Sequence, residues 1–314
     1  MPLEETLIDP RRFGLLYGTT PPRADAPPER IQIAAERLAA RVANLPLDGL
    51  VVYDVQDESP RTPQPRPFPF LPTIDSPNYG KLLRDLTGLP VITYKCIVAE
   101  TETTWPTWLD QASTQQGVRY LSLVGLSSSK DARSCIPLTR ATAIAAEHPA
   151  RFVLGGVAIA ERHHAERSES QRLIQKAERG CHYFITQAVY EAEPSIRMLG
   201  DYANECAQLG HEPRRIMLDF VPLGRPQTLN FIRWLGIAIS DATAATILDD
   251  PAPLSRSINV CCEILRRILD QPYASQIPLG ITVESVSINK EEIGATLELL
   301  HALREVAHEF GFTV

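Results

Sequence analysis

The amino-acid sequence predicts an α/β protein built as one closed parallel (β/α)8 barrel. Three observations predict it. Short apolar runs alternate with amphipathic helical stretches eight times in one uninterrupted series. The 314 residues fall in the usual range of roughly 200 to 400 for such a barrel. No Gly-x-Gly-x-x-Gly follows the first strand, which counts against the runner-up, an open doubly wound sheet with a dinucleotide site. Residues 1–314 therefore read as a single domain.

The elements follow in order. Residues 13–20 read as the first strand, and Pro27-Pro28 opens the helix after it, where a missing N–H costs nothing. Residues 48–55 are Val-rich and suit a strand buried on both faces. A helix from Ser76 to Leu86 precedes a third strand at 90–96 and a short helix at 103–113. A fourth strand covers 118–124, with a helix around 138–147, and a fifth strand covers 151–158. The next helix, 165–179, stops at Gly180. The sixth strand is 182–187, its helix runs from Pro194 to Gly210, and the seventh strand is 215–220. Residues 226–270 hold two or three extra helical pieces, more than one crossover needs. The eighth strand, 279–286, and a terminal helix, 291–310, complete the series.

Composition narrows the function. A net charge of -7 argues against a nucleic-acid partner, which would need clustered Lys and Arg. No run reaches the ~20 apolar residues of a membrane helix, and Met1-Pro2-Leu3-Glu4-Glu5 resembles no signal peptide. The six cysteines show neither CxxC nor zinc-type spacing, so they read as thiols in a reducing cytoplasm. A homo-oligomer stays open.

Barrel enzymes work at the C-terminal ends of their strands, so the residues there are the candidates. Asp54, Asp57 and Glu58 follow the second strand. Crowded, partly buried carboxyl groups have raised pKa values and make general acids, although a solvated acidic loop reads equally well. Beyond them, six prolines between Pro60 and Pro72 describe an extended, stiff segment, either a lid or an arm for a neighbouring subunit. Glu161, His163 and His164 follow the fifth strand. Adjacent histidines diverge and no third ligand is spaced to join them, so no metal site is predicted. Gln187 ends the sixth strand, where its amide could pair with a heterocycle or simply be satisfied by backbone. Tyr190 follows it. Asp219 and Glu284 end apolar strands and are either acids or a pair within the barrel.

Together these residues resemble the methylenetetrahydrofolate reductase family. Pro21-Pro22-Arg23, Glu161-Arg162-His163, the helix carrying Lys176, Phe184-Ile185-Thr186-Gln187 and Ile288-Asn289-Lys290 match that family's motifs in order along nearly the whole chain. The Ile-Thr-Gln run is the most specific. The resemblance implies reduction of 5,10-methylenetetrahydrofolate to 5-methyltetrahydrofolate with NAD(P)H, usually through bound FAD. It implies that Gln187 binds the pterin and that His163 and Lys176 lie near the flavin's phosphates, with Glu161 as a further cofactor contact; Tyr190 and Glu284 are the further substrate-binding candidates.

The departures are as informative. Gly18 stands where the family has its acid, Leu126 where it has an aspartate beside the flavin, and Ile159 where it has a tyrosine. These replacements predict weak FAD binding or none, with hydride passing directly from the nicotinamide. They also move the acid, and Glu58, then Asp57, are the nearest replacements on the neighbouring second strand. A different folate-dependent transfer or demethylation on the same barrel is the alternative, as is a non-catalytic protein that binds folate or a partner.

Overall fold

A computed structural model describes residues 3–9, 11–57, 62–125 and 135–313. Its eight parallel strands are β1 (Gly14–Thr19), β2 (Gly49–Val52), β3 (Val91–Cys96), β4 (Tyr120–Val124), β5 (Val153–Ala158), β6 (Cys181–Ala188), β7 (Arg215–Phe220) and β8 (Leu279–Val283). They close in chain order, with β8 paired to β1. This is the (β/α)8 barrel the alternation predicts.

Helix α1 (Leu3–Ile8) precedes the barrel. Six helices follow the first six strands: α2 (Pro28–Val42), α3 (Ser76–Thr87), α4 (Thr104–Thr114), α5 (Leu138–Glu147), α6 (Glu169–Glu178) and α7 (Ala192–Leu209). Three come after β7, as the extra length predicts: α8 (Pro226–Trp234), α9 (Asp241–Leu248) and α10 (Pro253–Leu269). Helix α11 (Lys290–Glu309) ends the chain. The ends are set locally. Ser168 accepts the Gln171 N–H and caps α6, so that helix starts later than the 165 expected from periodicity. Asn289 caps α11 by accepting from Glu291 and Glu292. Gly210 ends α7 in the left-handed conformation.

Alternation along each strand divides the core. Leu15, Leu50, Phe184, Ile216, Leu218 and Ile281 face the helices. Leu16, Val51, Ile92, Tyr183, Ile185 and Met217 fill the barrel. The large interior residues need glycines opposite them: a Cβ on Gly155 would lie 2.2 Å from the Tyr183 ring. At the N-terminal end Leu3 and Leu7, one helical turn apart on α1, are buried in the interior cluster. This helix has no signature in the sequence, because six residues are too few to show a helical period. Arg215 is fully buried there and donates to the carbonyls of Leu279 and Asp9. Burial pulls its guanidinium down to about 10. The opposite, C-terminal rim is left to carry polar residues.

Among the described residues no helix is long and apolar enough to cross a membrane, and no cluster of three metal-ligating side chains occurs. All six cysteines are free thiols.

Candidate functional site

Three inward positions at the C-terminal rim build one polar cluster. Asp219 follows Met217 on β7 by two residues and Tyr53 follows Val51 on β2, so each points into the barrel. Glu284 directly follows β8. The carboxyl groups of Asp219 and Glu284 are hydrogen bonded to each other, and Tyr53 donates to Glu284. Burial raises both acids. Glu284 is pushed up to about 7, while hydrogen bonds from Asp219 and Tyr53 restrain it. Asp219 is 3% exposed and rises well above the carboxylate range, from burial first and the Glu284 charge second. Its Oδ1 is buried and meets no donor among the described residues, a need that a proton shared with Glu284 meets. Both carboxyl groups therefore hold a proton to higher pH than an exposed acid does.

Gly18 makes room for this pair. A Cβ at that position would lie 2.9 Å from Glu284 Cβ, 2.9 Å from the Tyr53 ring and 3.1 Å from Glu284 Oε2. The Glu284 carboxyl thus occupies the place left empty on β1. The neighbour of β1 in sequence is β2, which Asp57 and Glu58 follow in the chain; closure of the barrel gives β1 a second neighbour, β8, and Glu284 directly follows it.

Gln187 lies beside the pair through a bulge. In the pairing of β6 with β7, Ile185 matches Met217 and Ala188 matches Asp219, so Thr186 and Gln187 together oppose a single residue. Thr186 Oγ accepts the Asp219 N–H at 2.9 Å. Gln187 is half-buried, and no hydrogen bond is made to its amide among the described residues. A pterin edge would satisfy that amide.

The other expected residues sit elsewhere. Glu58 and Leu126 lie outside the described residues. Asp57 is exposed. Asp54 accepts the Cys96 N–H at 2.7 Å and the Gln56 amide at 2.7 Å, so it fastens the end of β3. Tyr190 is 2% exposed and donates to the Val221 carbonyl at 2.8 Å, which places it in the wall.

Glu161, half-buried, accepts the Ala238 N–H, which docks the loop before α9. His163 Nε2 meets Asp201 on α7 at 3.0 Å. Lys176 reaches from α6 to the Val157 carbonyl at 2.6 Å and to the buried Glu169 at 3.7 Å, and burial lowers its pKa. Glu161, His163 and Lys176, which the resemblance places at a flavin, are thus each engaged by a different piece of the protein, so His163 Nε2 and Lys176 Nζ are not free to hold its phosphates.

The proline-rich segment packs on its own chain. Ala24 donates to the Pro72 carbonyl and Ile74 to that of Pro22, which ties one end to the chain after β1. Near the other end Trp234 Nε1 on α8 donates to the Gln64 carbonyl at 3.1 Å, and Phe68 meets Phe231 edge-on at 5.6 Å. Helix α8 follows β7 and the segment follows β2. Residues 62–72 thus form a strap fastened to the chain after β1 and to α8, the helix that follows β7.

A solved structure of an uncharacterized protein from Clostridium thermocellum is 30% identical over 97% of this chain and 99% of its own, with a TM-score of 0.82. The chain belongs to the family of that protein. The Clostridium thermocellum protein binds two copies of 5-methyl-5,6,7,8-tetrahydrofolic acid. A 2,3-dimethylmalate lyase aligns over 98% of this chain and 86% of its own at 11% identity and a TM-score of 0.50. The Bacillus cereus spore cortex-lytic enzyme SleL aligns over 93% and 74% at 11% identity and a TM-score of 0.52. At that identity both show the barrel alone. No family model and no curated protein matches the chain.

Proposed function

We propose that this chain binds a reduced folate at the C-terminal mouth of the barrel and delivers a proton to one of its nitrogens from the Glu284–Asp219 pair. The observation that carries this reading is the proton-holding pair above Gly18, in a chain whose family member binds 5-methyltetrahydrofolate. Gln187, with its open amide, orients the pterin. Glu284 touches the nitrogen, Asp219 holds the proton supply behind it, and Tyr53 fixes the Glu284 carboxyl through its hydroxyl.

The reaction we assign is reduction of 5,10-methylenetetrahydrofolate. Protonation of a bridging nitrogen opens the five-membered ring to an iminium ion, and hydride adds to its carbon. One proton and one hydride give 5-methyltetrahydrofolate. A reduced nicotinamide, NADH or NADPH, supplies the hydride, and no step runs through a flavin. A carboxyl with a pKa near 7 suits the acid step, since it is partly protonated at working pH and still a competent donor.

A second reading uses the same proton. Binding of 5-methyltetrahydrofolate by the relative favours transfer of the methyl group, in which the methyl-bearing nitrogen must be protonated to become a leaving group.

The deciding experiment measures oxidation of NADH or NADPH with methylenetetrahydrofolate for the parent and for Glu284→Gln. The reductase reading expects turnover by the parent and a loss of about 10²- to 10⁴-fold in the variant, the usual cost of removing a general acid. Binding of 5-methyltetrahydrofolate without any nicotinamide oxidation would leave the transfer reading. Undiminished turnover by Glu284→Gln would return the acid to the β2 loop, where Asp57→Asn and Glu58→Gln are the variants to measure.

A further inference from the structure

Arg66 lies on the strap with three aromatic rings around it. Its guanidinium carbon is 5.4 Å from the Phe70 centroid, 5.3 Å from Phe231 and 5.2 Å from Trp234. The Phe231 and Trp234 rings are stacked, at 6.0 Å and 12°. Arg66 Nε is buried without a hydrogen-bond partner, and no carboxylate pairs with this guanidinium among the described residues. The chain has 38 acidic residues against 31 basic ones, so a guanidinium without a carboxylate partner among the described residues is not explained by a shortage of acids. Aromatic neighbours accept no conventional hydrogen bond, and the N–H fork of a guanidinium matches a carboxylate in two parallel bonds.

Position adds the second half of the argument. The strap follows β2 and is fastened to the chain after β1 and to α8 after β7, so it lies at the C-terminal end of the barrel strands, the end that carries Glu284. Phe68, held edge-on to Phe231, is 45% exposed on the same platform.

We infer that Arg66, with Phe68 and the Phe231–Trp234 platform, is a subsite for the p-aminobenzoyl-glutamate end of the folate. The guanidinium edge takes a glutamate carboxylate and the aromatic platform takes the aminobenzoyl ring. The inference rests on the folate reading and extends it to the far end of the ligand.

Calorimetry with two ligands tests it: 5-methyltetrahydrofolate, and 5-methyltetrahydropteroate, which lacks the glutamate. The parent should prefer the folate by about 10- to 100-fold, the range expected for a charge-assisted fork. Arg66→Ala should lose that preference while binding the pteroate within about threefold of the parent, and Arg66→Lys should recover part of it. Near-UV circular dichroism of each variant checks that the strap stays in place. Equal affinity of the parent for both ligands, or an equal loss of both in Arg66→Ala, would overturn the subsite and leave folate binding intact. Failure of the parent to bind either ligand would overturn the folate reading itself, and the subsite with it.

Discussion

Glu284 stands in the volume that a side chain at position 18 would fill, with its Cβ 2.9 Å from where a Cβ on Gly18 would be. The barrel mouth has space for one side chain at this point. The resemblance to the reductases implies an acid on the first strand; here β1 carries no side chain at that position and the Glu284 carboxyl after β8 fills the space. The glycine that looks like a lost function in the sequence is, in the fold, the condition for the carboxyl beside it.

This close approach makes Gly18→Ala costly. The added methyl meets Glu284 and the Tyr53 ring at once, so overpacking should lower stability by about 1 to 3 kcal/mol. Affinity for 5-methyltetrahydrofolate should fall with it, because the acid must move. Urea denaturation and calorimetry measure the two effects, and an unchanged midpoint would show that the mouth has slack.

The raised acid gives a pH signature. Folding favours protonated Glu284, whose pKa is raised in the folded chain from 4.5 to about 7. Its stabilising contribution is complete below the unfolded value and is lost as pH rises through the folded one. Glu284→Gln removes that dependence. The variant should gain on the parent between pH 5 and pH 8, by an amount on the order of 1 kcal/mol, while losing turnover. A stability difference constant across that window would mean that the carboxyl titrates normally.

Inside the barrel, Gly155→Ala should be among the most damaging single-methyl changes. Its Cβ would sit 2.2 Å from the buried Tyr183 ring, which has β strands on every side. A loss of about 3 kcal/mol or more, read from thermal or denaturant unfolding, is the expected result. Adding Tyr183→Phe should not rescue it, since the clash is with the ring and not the hydroxyl.

Lys176 separates a structural role from a flavin role. Lys176→Met should cost about 1 to 3 kcal/mol, because the Val157 carbonyl loses its ammonium donor and buried Glu169 loses one of its charged neighbours, keeping Arg172 at 3.8 Å. Folate affinity should be unchanged, and added FAD should show no saturable quenching at micromolar concentration with either parent or variant. Tight FAD binding by the parent that Lys176→Met abolishes would restore the flavin assignment.

Much of this protein was legible in the linear chain. The alternation of apolar runs with amphipathic stretches determined eight strands, their order and the helices between them, because each element must present an apolar face with its own period to the core. The excess length at 226–270 announced extra helices, and the rule that barrel sites lie at strand ends picked out Gln187, Asp219 and Glu284 before their neighbours were known. The lone acids that end two consecutive apolar strands were the signal for the pair. What the chain could not decide was which strand ends meet. Asp219 and Glu284 are 65 positions apart in sequence, and only the β7–β8 pairing brings them together; Glu284 covers Gly18 only because the barrel closes β8 onto β1. The pKa shifts follow from the same closure, since burial and proximity are properties of the folded interior. Lys176, His163 and Glu161 show the converse: each has the residue type of a ligand contact, but the packing of α6, α7 and the loop before α9 supplies protein partners that engage them first.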